Sequence, residues 1–150
     1  MTNLTEPPVR SAEHEKLNCF LGDWRAEGVN YDAQGKRTPW LSDEHAEWLP
    51  GEFFIVQRWD ANPDQPFSGL GVIGFDPVER HYFTRSFENH GFFRHYAMEV
   101  AGNVWTFTGE TERARVEFTD EGKTQQIHWE FKHGDTWLPL CDRTARRVQH

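Results

Sequence analysis

Two arginines, a tyrosine and three apolar side chains alternate through Phe83-Thr-Arg-Ser-Phe-Glu-Asn-His-Gly-Phe-Phe-Arg-His-Tyr-Ala-Met98. With His90-Gly91 as a two-residue turn this stretch reads as a hairpin. Pairing across it sets Arg94 beside Phe87, Tyr96 beside Arg85 and Met98 beside Phe83. Arg85, Arg94 and Tyr96 then share one face with Phe83, Phe87 and Met98. An apolar face points into a core, and a cation on such a face needs a partner. Two guanidiniums and a phenol can bind a carboxylate or phosphate through charge-assisted, partly bidentate hydrogen bonds. The alternative is an internal network in which Glu44 neutralises one arginine and solvent takes the other.

Other chemistries find little in the chain. It has no Gly-x-Ser-x-Gly elbow, no phosphate loop and no dinucleotide fingerprint. Of its eight histidines, His45, His95 and His128 fall on an outward face. His14, His90, His133 and His150 lie in a helix, turns or the tail. Neither an HExxH motif nor a facing histidine pair suggests zinc, so no metal site is assigned. The one carboxylate placed inward is Glu44. One acid beside one arginine does not define a reaction, so no catalytic residue is assigned.

These side chains need a scaffold, and 150 residues are one domain's worth, enough to bury a substantial core. The formal net charge is -8, and without a basic stripe nucleic acid is not expected as a partner. Seven Trp and twelve Phe alongside a mean hydropathy of -0.80 imply an aromatic interior under a charged skin. No run of about 18 apolar residues and no secretory leader is visible, so a cytoplasmic protein without a membrane partner is expected. Cys19 and Cys141 are expected as free thiols.

Residues 1–10, with Pro7-Pro8, read as a disordered arm, and residues 11–150 as a single β-barrel domain. Ser11 can cap a short helix over 12–20, with Leu17 and Leu21 on one face. Ten strand candidates follow, near 23–31, 41–48, 53–60, 69–75, 80–88, 92–100, 103–109, 112–119, 124–132 and 136–147. Turn chemistry separates them, as at Pro50-Gly51, Asp76-Pro77, Asn89-His-Gly91 and Asp120-Glu-Gly122. Short strands at this spacing predict an all-β fold, a ten-stranded antiparallel up-and-down barrel with a short N-terminal helix. Parity across the turns collects one interior: Trp24, Ala26, Trp48, Phe53, Ile55, Trp59, Val72, Phe83, Phe87, Tyr96, Met98, Trp105, Phe107, Val116, Phe118, Ile127, Trp129 and Phe131.

Gly22-Asp-Trp24, after a short helix and on the first strand of a meander, resembles the Gly-x-Trp signature of the calycin superfamily. That group includes the lipocalins and fatty-acid-binding proteins. Ten strands and the run Phe20-Leu-Gly-Asp-Trp-Arg-Ala-Glu-Gly28 are closer to the nitrobindins. They also resemble a lipocalin-like bacterial family of uncharacterised function, whose Gly-Tyr-Asp-Pro-like turn is matched by Gly74-Phe-Asp-Pro77. The resemblance implies that Trp24 plugs one end of the barrel. A nitrobindin-like protein would hold haem through a histidine near the C-terminus and act on nitric oxide or peroxynitrite. The matching region here, Arg143-Thr-Ala-Arg-Arg-Val148, has no histidine, and by parity His81 is the inward histidine of the strands.

With Trp24 closing one end, the odd strands run toward the open mouth. Arg85, Arg94, Tyr96, Gln57, Trp59 and Glu44 then gather at that mouth. The expected function is binding of a small hydrophobic or amphipathic ligand inside the barrel. Arg85, Arg94 and Tyr96 would take an anionic head, with Glu44 and Gln57 beside them. Trp59, Phe83, Trp105 and Trp129 would line the chamber. A nitrobindin-like haem protein and an interaction module with a filled core are the alternatives. Phe54, Val56, Ile73 and Phe93 could form the outer patch of a homodimer.

Overall fold

A computed structural model describes residues 5–150. Ten antiparallel strands close into one barrel in which each strand pairs with its neighbours in sequence and β1 pairs with β10. The strands are β1 Gly22–Tyr31, β2 Arg37–Trp48, β3 Phe54–Ala61, β4 Phe67–Asp76, β5 His81–Glu88, β6 Phe93–Ala101, β7 Val104–Thr108, β8 Glu112–Thr119, β9 Thr124–His133 and β10 Thr136–Arg147. In front of β1 stand one helical turn, α1 Ala12–Glu15, and a 3-10 turn, Lys16–Phe20. No helix among the described residues is long and apolar enough to cross a membrane. The first four residues of the arm expected over 1–10 lie outside the described residues. Arg10, at its other end, donates to the Glu52 carbonyl at 2.9 Å.

The helical segment closes one end of the barrel. Leu17 is fully buried and Phe20 nearly so. The Phe20 ring meets Trp105 and Phe118 edge-on at 5.1 and 5.3 Å. Trp24 is 2% exposed and its Nε1 donates to the Phe20 carbonyl at 3.2 Å. The Arg147 guanidinium stacks over the Trp24 ring at 4.2 Å and donates to the Leu21, Cys19 and Gly122 carbonyls. Gly22 has φ +112°, and a Cβ there would stand 2.5 Å from Arg147 Nη1. Backbone conformation and lack of space both require glycine, so the Gly-x-Trp pair is a mechanical unit of the closed end.

Most of the expected interior is observed. Trp24, Ala26, Ile55, Tyr96, Met98, Trp105, Phe107, Val116, Phe118 and Ile127 are buried. A two-residue turn at 110–111 and a four-residue loop at 120–123 predict Phe107 opposite Ala114 and Val116 opposite Ile127, and the β7–β8 and β8–β9 registers show both pairs. A four-residue turn at 49–52 and a two-residue turn at 101–102 predict Ala46 opposite Ile55 and Met98 opposite Trp105; the observed β2–β3 and β6–β7 registers differ by two residues, with Ala46 opposite Gln57 and Met98 opposite Phe107. A two-residue slip keeps every face.

Strands β4 and β5 correct the reading. Phe87 pairs with Phe93 and Ser86 with Arg94, because the turn holds three residues: Glu88 N donates to Phe92 O, and Gly91 N to Glu88 O. One extra residue moves every side chain of a strand to its other face. Tyr82, Thr84 and Ser86 therefore turn inward, while Arg85 and Phe87 are exposed. Phe83 turns outward too, and its ring packs against exposed Phe54 at 6.3 Å over Gly74. The five-residue loop 62–66 likewise brings Ile73, not Val72, inward, opposite Ile55. Ile73 is 1% exposed and drops out of the outer patch, where Phe54 and Phe93 remain exposed. His81, with the parity of Arg85, faces outward rather than inward.

Candidate functional site

Above the closed end, the aromatic core gives way to a chamber of about 280 Å³. Its floor is apolar, with Phe20, Ile73, Phe107, Val116 and Ile127, and Trp40, Trp59, Phe67 and Trp129 stand toward the mouth. Polar side chains interrupt this lining on two sides.

On the β5–β6–β8 side, Arg94 Nε lies 2.8 Å from Glu88 Oε2 and 3.5 Å from Glu112 Oε1. The Tyr96 hydroxyl donates to Glu112 Oε1 at 3.3 Å. Burial pushes the Glu112 carboxyl above its ordinary range; Arg94 pulls it down and Glu88 pushes it further up. Burial and the Glu112 charge raise the Tyr96 phenol, so it stays a donor at neutral pH. Burial works against the Arg94 charge, but the Glu88 hydrogen bond and both carboxylates outweigh it. Two carboxylates to one guanidinium make this wall acidic.

On the β10–β1–β2–β3 side, Trp40 Nε1 donates to Ser42 Oγ at 2.9 Å and Ser42 Oγ to Glu44 Oε2 at 3.1 Å. Gln57 Nε2 donates to Glu44 Oε1 at 3.4 Å. Arg143 lies over the Trp40 ring at 4.6 Å, with Nη1 3.5 Å from the Cys141 sulfur. Burial pushes the Cys141 thiol up, keeping it protonated at neutral pH.

Glu44, Gln57, Trp59, Arg94, Tyr96 and Trp129 line this chamber together. Three other expected residues do not. Arg85 and Phe83 are on the outer face of β5, for the turn-length reason above. Trp105 is buried but lies lower, between Phe20 and Tyr82, within the plug rather than the cavity wall. The partner of Arg94 is also corrected: Glu88 and Glu112 hold it, whereas Glu44 is held by Ser42 and Gln57.

Glu88, Glu112 and Arg143 also line the chamber and are not among the residues the sequence singles out. Glu112 was legible, since it has the parity of Ala114 and Val116. Glu88 was hidden by the turn length. Arg143 was hidden by a bulge, because the β10–β9 register shifts between Pro139 and Cys141. The extra residue moves the inward positions from Leu138 to Cys141, Arg143, Ala145 and Arg147. Pro139 was the available signal, as proline inside a strand marks an edge or a bulge. No histidine lines the chamber, and no group of three metal-ligating side chains occurs among the described residues.

The family model "Protein of unknown function (DUF1579)" matches residues 9–137. The crystal structure of Rv2717c from M. tuberculosis is similar, with a TM-score of 0.70 and 13% identity over 94% of this chain and 100% of that one. The structure of the S-type phycobiliprotein lyase CPES from Guillardia theta is also similar, with a TM-score of 0.59 and 14% identity over 94% of each chain. At such identities the likeness is one of fold, a lipocalin-like barrel. No curated protein matches this chain.

Proposed function

The chain belongs to the DUF1579 family, whose function is unknown, and from its chamber we propose that it binds a small amphipathic molecule inside the barrel. The observation that carries this is the cavity itself. About 280 Å³ remain open among aromatic and aliphatic side chains, with polar groups confined to particular walls. Apolar lining supplies affinity and a few placed polar groups supply orientation. The volume is near the small end of the usual range for ligand sites, about 300–1,000 Å³, which favours a compact or slender ligand. The open cavity also argues against an interaction module with a filled core. The likeness to a phycobiliprotein lyase supports the reading at the level of fold alone.

The nitrobindin-like alternative has less support. Haem held in that manner needs an axial histidine. His81 faces outward, residues 143–148 contain no histidine, and none lines the cavity. These residues do not fit a histidine-held haem.

Gly71 offers a direct test. It faces the chamber, and a Cβ there would meet nothing closer than 3.7 Å. Gly71→Phe should fold and fill the space. Native mass spectrometry should find a co-purified or added amphiphile bound one to one on the parent chain and absent from the variant. A folded variant that retains the adduct would place the ligand elsewhere.

A further inference from the structure

Among the described residues, two donors of the chamber have no acceptor. Arg143 Nε and Trp59 Nε1 are both buried without a hydrogen-bond partner, and both residues line the cavity. Buried donors in a folded chain are almost always paired, so two orphans in one cavity point to an acceptor supplied from outside the chain. They are not side by side. Arg143 stacks on Trp40, Trp40 meets Phe67 at 5.9 Å, and Phe67 meets Trp59 at 5.8 Å.

Of the two, Arg143 carries the charge. The Trp40 face holds its guanidinium plane at 4.6 Å. Gly28, opposite on β1, lets β10 approach closely, since a Cβ there would stand 2.6 Å from Arg143 Cα. Among the described residues its one polar side-chain contact is Nη1 with Cys141 Sγ, and it forms no ion pair. Arg94 differs, being held by Glu88 and Glu112. The chamber thus has one cation already neutralised and another, oriented and partly desolvated, with no carboxylate of the described residues at ion-pair distance. A planar guanidinium in that state suits an oxyanion. The acidic wall of Glu88 and Glu112 disfavours a second negative charge on the same ligand.

Building on the reading of the chamber as a ligand site, we propose that the ligand is a monoanionic carboxylate amphiphile whose head docks on Arg143. Its apolar body extends toward Phe107, Val116 and Ile127. Trp59 Nε1 is left for a second acceptor where the ligand has one.

Isothermal titration with decanoate, decan-1-ol and decylamine tests the head against a constant tail. Decanoate should bind the parent chain about tenfold or more tighter than the alcohol, with the amine weakest. Arg143→Gln should lose about tenfold or more for decanoate while changing decanol by less than about threefold. Arg143→Lys, which keeps the charge but not the fork, should fall between. Equal affinity for decanoate and decanol, preference for the amine, or a decanoate affinity untouched by Arg143→Gln would overturn the head assignment and leave the chamber reading standing. No binding of any of the three to the parent would overturn both. Should Arg143→Gln fail to fold by circular dichroism, the decanoate-to-decanol ratio of the parent and the Arg143→Lys value still decide.

Discussion

Arg94 is tied to Glu88, Nε to Oε2, at 2.8 Å, with side chains 25% and 12% exposed. The hairpin that carries them is thus pinned at the mouth by its own ion pair. Glu112 joins from β8 at 3.5 Å, so the arginine that looked most available for a ligand is neutralised within the chain.

Removing Arg94 should therefore act on stability before it acts on binding. Arg94→Met leaves two partly buried carboxylates facing each other, and should cost about 1–3 kcal/mol in urea unfolding. The same change in a Glu88→Gln/Glu112→Gln background should cost distinctly less. Equal costs in both backgrounds would mean that the network is not what Arg94 stabilises.

Arg85 gives the opposite expectation. Its side chain is exposed on the outer face, with Val72 and His95 as cross-strand neighbours. Arg85→Ala should leave both stability and decanoate affinity within about twofold of the parent. A large loss of affinity by titration would show that β5 presents its odd residues to the chamber.

Gly22 should tolerate nothing larger. Gly22→Ala introduces a side chain at φ +112° and into the Arg147 guanidinium. A penalty of about 1–3 kcal/mol is expected in thermal or urea unfolding. Gly71→Ala, inside the same barrel with room around its Cβ, is the control and should be close to neutral.

The closed end should also respond to acid. His14 is 2% exposed; its Nδ1 accepts from the Ser11 amide at 3.0 Å, and its ring meets Phe53 and Phe75 edge-on. Burial, and then the Arg10 charge, lower its pKa below the ordinary 6.5. The unfolded chain therefore takes up this proton first. His14's contribution is present above pH 6.5 and is lost as pH falls through the lowered value. His45 has the opposite sign, because its hydrogen bond to Asp23 raises its pKa. Comparing urea midpoints at pH 7 and pH 5 isolates the effect of His14: the acid loss should be smaller in His14→Gln than in the parent. An unchanged pH dependence would remove His14 from this role.

The barrel was legible because it is written locally. Ten alternating segments, each ended by its own turn residues, determine strand number, order and most of the interior, and Gly22-Asp-Trp24 marks the closed end. Faces are unchanged where a turn is two residues longer than its sequence suggests, as between β2 and β3, because the side-chain period is two. What the tertiary structure alone decided depends on single-residue events. A three-residue turn after Glu88 turned Arg85 and Phe83 outward and brought Glu88 inward. A bulge after Pro139 brought Arg143 to the wall. Local composition constrains whether a turn or bulge occurs far better than whether it holds an odd or even number of residues. That parity is set by closing ten strands into one hydrogen-bonded ring, a condition on the whole chain, and it selects which arginine meets carboxylates and which faces the chamber unpaired.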